Sequence, residues 1–110
     1  LEFIMISTVL AITLMVVQLP AAGPRQEFAS CLRAFMTAKL EARMEPPAFE
    51  TELASACSAQ ENAYRTAYIQ AATRTGDSRT MATQDAELEV EDLRANILEL
   101  FRGSQPESRR

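Results

Sequence analysis

Residues 47–75 read PAFETELASACSAQENAYRTAYIQAATRT. Within this stretch Phe49, Leu53, Ala56, Cys57, Gln60, Tyr64, Ala67, Tyr68 and Ala71 recur at intervals of three and four. That spacing keeps pace with the turn of an α-helix and collects the side chains on one face, so it predicts a single helix over about 47–75. Glu50 and Glu52 fall in its first turn and Arg74 in its last, each suited to the sign of the helix dipole. Gly76 follows as a C-terminal cap, because a residue without Cβ accepts left-handed backbone at no steric cost. Many alanines, among them Ala59, Ala63 and Ala67, let neighbouring helices come close.

The same reading extends in both directions. Towards the N-terminus, Phe28, Cys31, Leu32, Phe35, Met36 and Leu40 mark a helix over about 24–44. Pro24 suits its first turn, Lys39 and Arg43 its last, and Pro46 and Pro47 are expected to stop it. Towards the C-terminus, the polar stretch 73–80 reads as a turn, with Asp77 or Ser78 able to cap a third helix over about 78–102. Ala82, Ala86, Val90, Leu93, Ile97, Leu100 and Phe101 form the apolar stripe of that helix, and Leu88 falls outside it. Gly103 ends the segment, and 104–110 reads as a disordered polar tail. No strand alternation and no internal repeat is present. The expected fold is all-α: an antiparallel helical hairpin plus a third helix, a small three-helix bundle over 23–103.

Before that domain, Phe3 to Leu19 is an almost unbroken apolar run, followed by Pro20, Ala21, Ala22 and Gly23. An apolar core running into small residues is the pattern of a secretory signal peptide, here 1–22, preceding the bundle as a signal helix. An uncleaved membrane anchor is the alternative, although the run is short of the roughly 20 apolar residues a span needs. Either reading places the rest of the chain outside the cytoplasm, periplasmic or secreted.

Export gives the cysteines their meaning. Cys31 and Cys57 are the only two in the chain and stand 26 positions apart. In an oxidising compartment an even count reads as one disulfide, and loop closure of that length contributes roughly 3–4 kcal/mol to a small domain. If the prolines mark the bend of the hairpin, Cys31 lies about 15 residues before it and Cys57 about 10 after, a height difference of roughly 7 Å that a helix tilt absorbs.

Composition limits the function. The chain has 110 residues, no His and a formal net charge of −4. An acidic balance argues against nucleic-acid binding, which needs a basic face. Without His the common acid–base and metal-ligating constellations are missing, and no Gly-rich oxyanion site accompanies the serines. The residues therefore point to a non-catalytic protein that needs no cofactor. The acidic cluster Asp85, Glu87, Glu89, Glu91 and Asp92 reads chiefly as the solvated side of the third helix. Tyr64 and Tyr68 read as core-edge residues and Arg65 as the partner of Glu61, four residues away. The scattered Met36, Met44 and Met81 read as fillers of core gaps. A candidate docking face for a protein partner combines Arg79, Asp85, Glu89, Asp92 and Arg94.

Several of these residues also carry a resemblance. Phe28-Ala-Ser-Cys31, Phe49, Leu53, Ala56-Cys57, Tyr64-Arg65, Gly76, Arg79, Ala82, Ala86 and Glu91-Asp92-Leu93-Arg94-Ala95-Asn96 together resemble a group of small uncharacterised exported helical proteins of alphaproteobacteria. The likeness spans most of 28–101 and implies a helical envelope protein with no known activity or site. A looser likeness, on Cys57, Gln60 and Arg65, is to helical lysozyme inhibitors of the periplasm. The periplasmic acid-stress chaperones are also small and helical, with one disulfide. The function expected is a protein-interaction module that docks an envelope partner. The alternative is a stress chaperone or lysozyme inhibitor acting through apolar surface such as Leu88 and Phe101. Long apolar stripes on a helical hairpin are also compatible with a homodimer.

Overall fold

The structure, a computed structural model, describes residues 22–105, and the signal reading over 1–22 and the tail beyond 105 fall outside them save for the first helical residue. The described residues form four helices and no strand: α1 (Ala22–Glu41), α2 (Pro46–Leu53), α3 (Ser58–Arg74) and α4 (Arg79–Gly103). The all-α expectation holds. The single helix expected over 47–75 is instead two, α2 and α3, separated by residues 54–57.

Each boundary has a local cause. Pro24 sits in the first turn of α1, where a missing N–H removes no intrahelical bond. The end of α1 is made by Arg43 rather than by the prolines. Arg43 adopts φ 57°, its N–H donates to the Leu40 carbonyl, and the Met44 N–H donates back to Lys39. That is a Schellman closure with an arginine in the place glycine usually takes. Pro46 and Pro47 then open α2 instead of closing α1: Glu45 is held extended before them, as proline requires of its predecessor.

Nothing in Ala54-Ser55-Ala56-Cys57 breaks a helix by composition. The break is at Cys57, which lies in the left-handed region at φ 62° and caps α3. Phe49 and Leu53 of α2, before the break, are buried in the core. Tertiary contacts here outweigh helix propensity, which is worth only tenths of a kcal/mol per residue. Between α3 and α4 the chain follows local rules. Gly76 has φ 107°, with Gly76 and Asp77 N–H groups donating to the Thr73 and Ala72 carbonyls. The Ser78 hydroxyl then accepts from the Met81 N–H at 3.1 Å and caps α4.

Helix α4 packs against all three others, and α1 also packs on α3. Contacts fix the directions. Phe28 meets Tyr64 while Cys31 is bonded to Cys57, so α1 and α3 run antiparallel. Glu61 meets Arg94 and Arg65 meets Glu87, so α3 and α4 are antiparallel too. The core is continuous: Phe28, Leu32, Phe49, Leu53, Tyr64, Val90, Leu93, Ile97 and Phe101 are buried together. At one end Phe49 lies between Phe35, 5.5 Å away centroid to centroid, and Phe101, stacked at 3.8 Å. Phe101 is thus fully buried and is not part of an exposed apolar surface. Met36 and Met44 pack on the core as expected, whereas Met81 is exposed. No helix among the described residues is long and apolar enough to cross a membrane.

Candidate functional site

The α3–α4 seam carries most of the polar side chains that the sequence singles out, and it sorts them into two strips. Residues four apart on a helix share a side. Glu61 and Arg65 therefore flank one edge of α3, and Tyr64 and Tyr68 the other.

On the first strip the charges alternate between helices. Arg94 of α4 pairs with Glu61, Glu61 pairs with Arg65 at 2.6 Å, and Arg65 reaches Glu87 at 2.8 and 3.0 Å. Burial alone would raise the Glu61 carboxyl, but hydrogen bonds and charge from Arg94 and Arg65 outweigh it and hold the group below its ordinary value. Burial would likewise lower Arg65, yet Glu61 and Glu87 keep its proton bound more firmly than usual.

Arg94 does more than close this ladder. Its guanidinium also donates to the carbonyl oxygens of Leu53 and Ala56, the latter at 3.1 Å, and lies 5.3 Å from the centre of the Phe28 ring. A cation on the carbonyl that ends α2 complements the dipole of that helix, and its bond to Ala56 adds a contact to the following turn. One side chain of α4 therefore gathers the end of α2, the start of α3 and a ring of α1. The Cys31–Cys57 disulfide, with its Cα atoms 6.1 Å apart, fastens the same turn to α1 from the other direction.

On the second strip the Tyr64 hydroxyl donates to Glu89 at 3.3 Å. Burial, then Glu89, push the Tyr64 hydroxyl pKa up. Tyr68 is raised by burial and by the carboxylates of Asp85, Glu89 and Asp77. The rings of Tyr64 and Tyr68 meet edge to face at 6.2 Å.

The residues read from the sequence as one docking face are thus divided. Asp85 and Glu89 stand half-buried beside the tyrosines, Arg94 is turned inward onto the opposite strip, and Asp92 and Arg79 are exposed. Arg79 lines a shallow surface groove with Thr80, Thr83 and Gln84 at the start of α4. The sequence reading overlooked Glu61 and Glu87 as members of a cross-helix ladder. The signal was present: Glu87 and Arg94 lie about two turns apart on one side of α4, complementary to Glu61 and Arg65 in an antiparallel partner. No group of three His, Cys, Asp or Glu side chains among the described residues is arranged to hold a metal ion.

What remains outward on α4 is its far side. Met81 and Leu88 are 54% and 58% exposed and lie about two turns apart on one side of the helix. Glu91, Asp92 and Ala95 continue that exposed side. Compared with known proteins, no family model, no curated sequence and no solved structure matches the chain.

Proposed function

We propose that the chain is an exported, non-catalytic interaction module of a bacterial envelope. In this reading α1, α3 and α4 form a small three-helix bundle and α2 covers one end of it. The observation that carries the interaction reading is the outer side of α4, where Met81 and Leu88 stay exposed beside Glu91 and Asp92. Those two carboxylates make no ion pair with the ladder on the α3 side, so their charge is available to a partner. The fitting partner is a protein surface with an apolar patch next to basic residues. Export is supported by the apolar run 3–19 ending in small residues, and by the cysteine pair within bonding distance. The resemblance to exported alphaproteobacterial proteins points the same way.

The test places a photo-crosslinking amino acid at Leu88 in cells expressing the full chain. One defined envelope protein is expected in the cross-link, lost on Met81→Asp and retained on Arg33→Glu of the exposed side of α1. A pattern indifferent to Met81→Asp overturns the docking face, and a cross-link to a second copy replaces the envelope partner by a homodimer. N-terminal sequencing of the exported protein decides between signal and anchor: a start near Gly23 is expected.

A further inference from the structure

We propose that α2 is a redox-gated flap: reduction of the Cys31–Cys57 disulfide releases it from α4 while α1, α3 and α4 remain packed. This inference concerns the internal mechanics of the fold and does not depend on which partner α4 binds.

Helix α2 has eight residues, too few to persist away from the core. It is bracketed by two residues that are left-handed without being glycine, Arg43 at φ 57° and Cys57 at φ 62°. Such backbone is retained only where surrounding contacts impose it. Undocking α2 frees both residues to return to ordinary conformations, so the strain favours release. Docking is favoured by the burial of Phe49 and Leu53, by the Phe35–Phe49 ring contact, by Arg94 on the Leu53 and Ala56 carbonyls, by the exposed ion pairs Glu52–Lys39 and Glu50–Arg102, and by the disulfide.

The topology makes the disulfide decisive. The ring that it closes runs from Cys31 through the end of α1 and all of α2 to Cys57. The bond holds Cys57, the left-handed residue between α2 and α3, directly against α1. Cleaving it removes the contact that imposes this strained backbone at the hinge of α2, while the packed ends of α1 and α3 still tether the segment. The other three helices keep links that do not pass through α2: Arg94 with Glu61, Arg65 with Glu87, Tyr64 with Glu89, and Phe28 against Tyr64 and Arg94.

The reductant is a dithiol. Its thiolate attacks one sulfur of the Cys31–Cys57 bond and its second thiol resolves the mixed disulfide. Two electrons and two protons pass to Cys31 and Cys57, which become thiols, while the dithiol becomes a disulfide. Both cysteines are partly exposed, which gives the attacking thiolate a path. Release uncovers Phe49, Leu53 and the ring of Phe101 that Phe49 had covered.

The test is amide hydrogen exchange on the full chain, oxidised and then reduced with dithiothreitol. The amides of Glu50 to Leu53 are expected to lose protection at least ~10-fold on reduction, while those of Val90, Leu93 and Ile97 change by less than about twofold. The double variant Cys31→Ser/Cys57→Ser is expected to give the reduced pattern without any dithiol. Equal loss in α2 and α4 overturns the proposal, because it means that the whole fold opens. Unchanged protection of Glu50 to Leu53 overturns it equally, because α2 is then held without the disulfide.

Discussion

The connection from α3 to α4 and the connection from α2 to α3 solve the same problem by opposite means. Between α3 and α4 the reversal is written locally: Gly76 takes the positive φ, its own N–H and that of Asp77 close the Schellman hydrogen bonds, and Ser78 caps the next helix. Between α2 and α3 no residue favours the turn. A cysteine holds the left-handed position, a disulfide fixes it to α1, and Arg94 arrives from a helix far along the chain to bind its carbonyls. The first turn should survive much damage elsewhere in the molecule. The second exists only inside the folded protein.

The largest expected effect tests that dependence. Arg94→Met removes the cation from the Leu53 and Ala56 carbonyls and leaves the half-buried Glu61 with one partner instead of two. A cost of about 2–3 kcal/mol is expected in urea denaturation, below the range for breaking a fully buried pair because the site is partly solvated. A value near zero would mean that the turn stands without its clamp. Next is Gly76→Ala, which probes the local turn. Nothing lies within 4 Å of the added Cβ, so the penalty is purely conformational. About 1–2 kcal/mol is expected from placing alanine at a positive φ, a fall of several degrees in Tm.

A third expectation uses pH to sharpen the contrast. The Glu61 carboxyl is held below its ordinary value of 4.5. A group with a depressed folded-state pKa contributes stability that is present above its unfolded value and is lost as pH falls through the folded one. Titration below 4.5 should therefore weaken the wild type, and Glu61→Gln should flatten that part of the curve. The smallest effect has the opposite sign. Arg43→Gly relieves the left-handed arginine at the end of α1 and should stabilise by about 0.5–1 kcal/mol, part of the gain being offset by the freer unfolded chain. A destabilised Arg43→Gly variant would show that the arginine side chain, not its backbone, holds the end of α1.

The same contrast explains what was legible in the sequence. Gly76, Ser78 and the stripe from Ala82 to Phe101 carry local signals, and the turn and α4 lie within a residue or two of where those signals put them, although Leu100 of that stripe is exposed. The pairing of Cys31 with Cys57 was legible from the even count of cysteines, but not from the height argument: α2 lies between the prolines and Cys57, which sits at the start of α3 rather than along a hairpin arm. The break at 54–57 was not, because Ala54, Ser55, Ala56 and Cys57 carry no breaking residue and the periodicity of Phe49 to Ala71 runs through it. The prolines were seen but misassigned: Pro46 and Pro47 start α2, and an arginine with no local signal ends α1. At the seam, Arg94 looked like a surface charge because its partners Leu53 and Ala56 are backbone atoms of a distant segment, which no side-chain pattern reveals.

The aromatic residues divide the molecule in a way that matters to anyone observing it optically. The protein has no Trp and two Tyr, and Tyr64 and Tyr68 sit side by side on α3, while the α2 end contains only phenylalanines. Intrinsic emission excited at the tyrosine band therefore reports from the tyrosine-bearing half and is nearly blind to the other. A melting curve followed by that signal traces the seam around Glu89, and a chromophore added near Phe49 would be needed to watch the opposite pole.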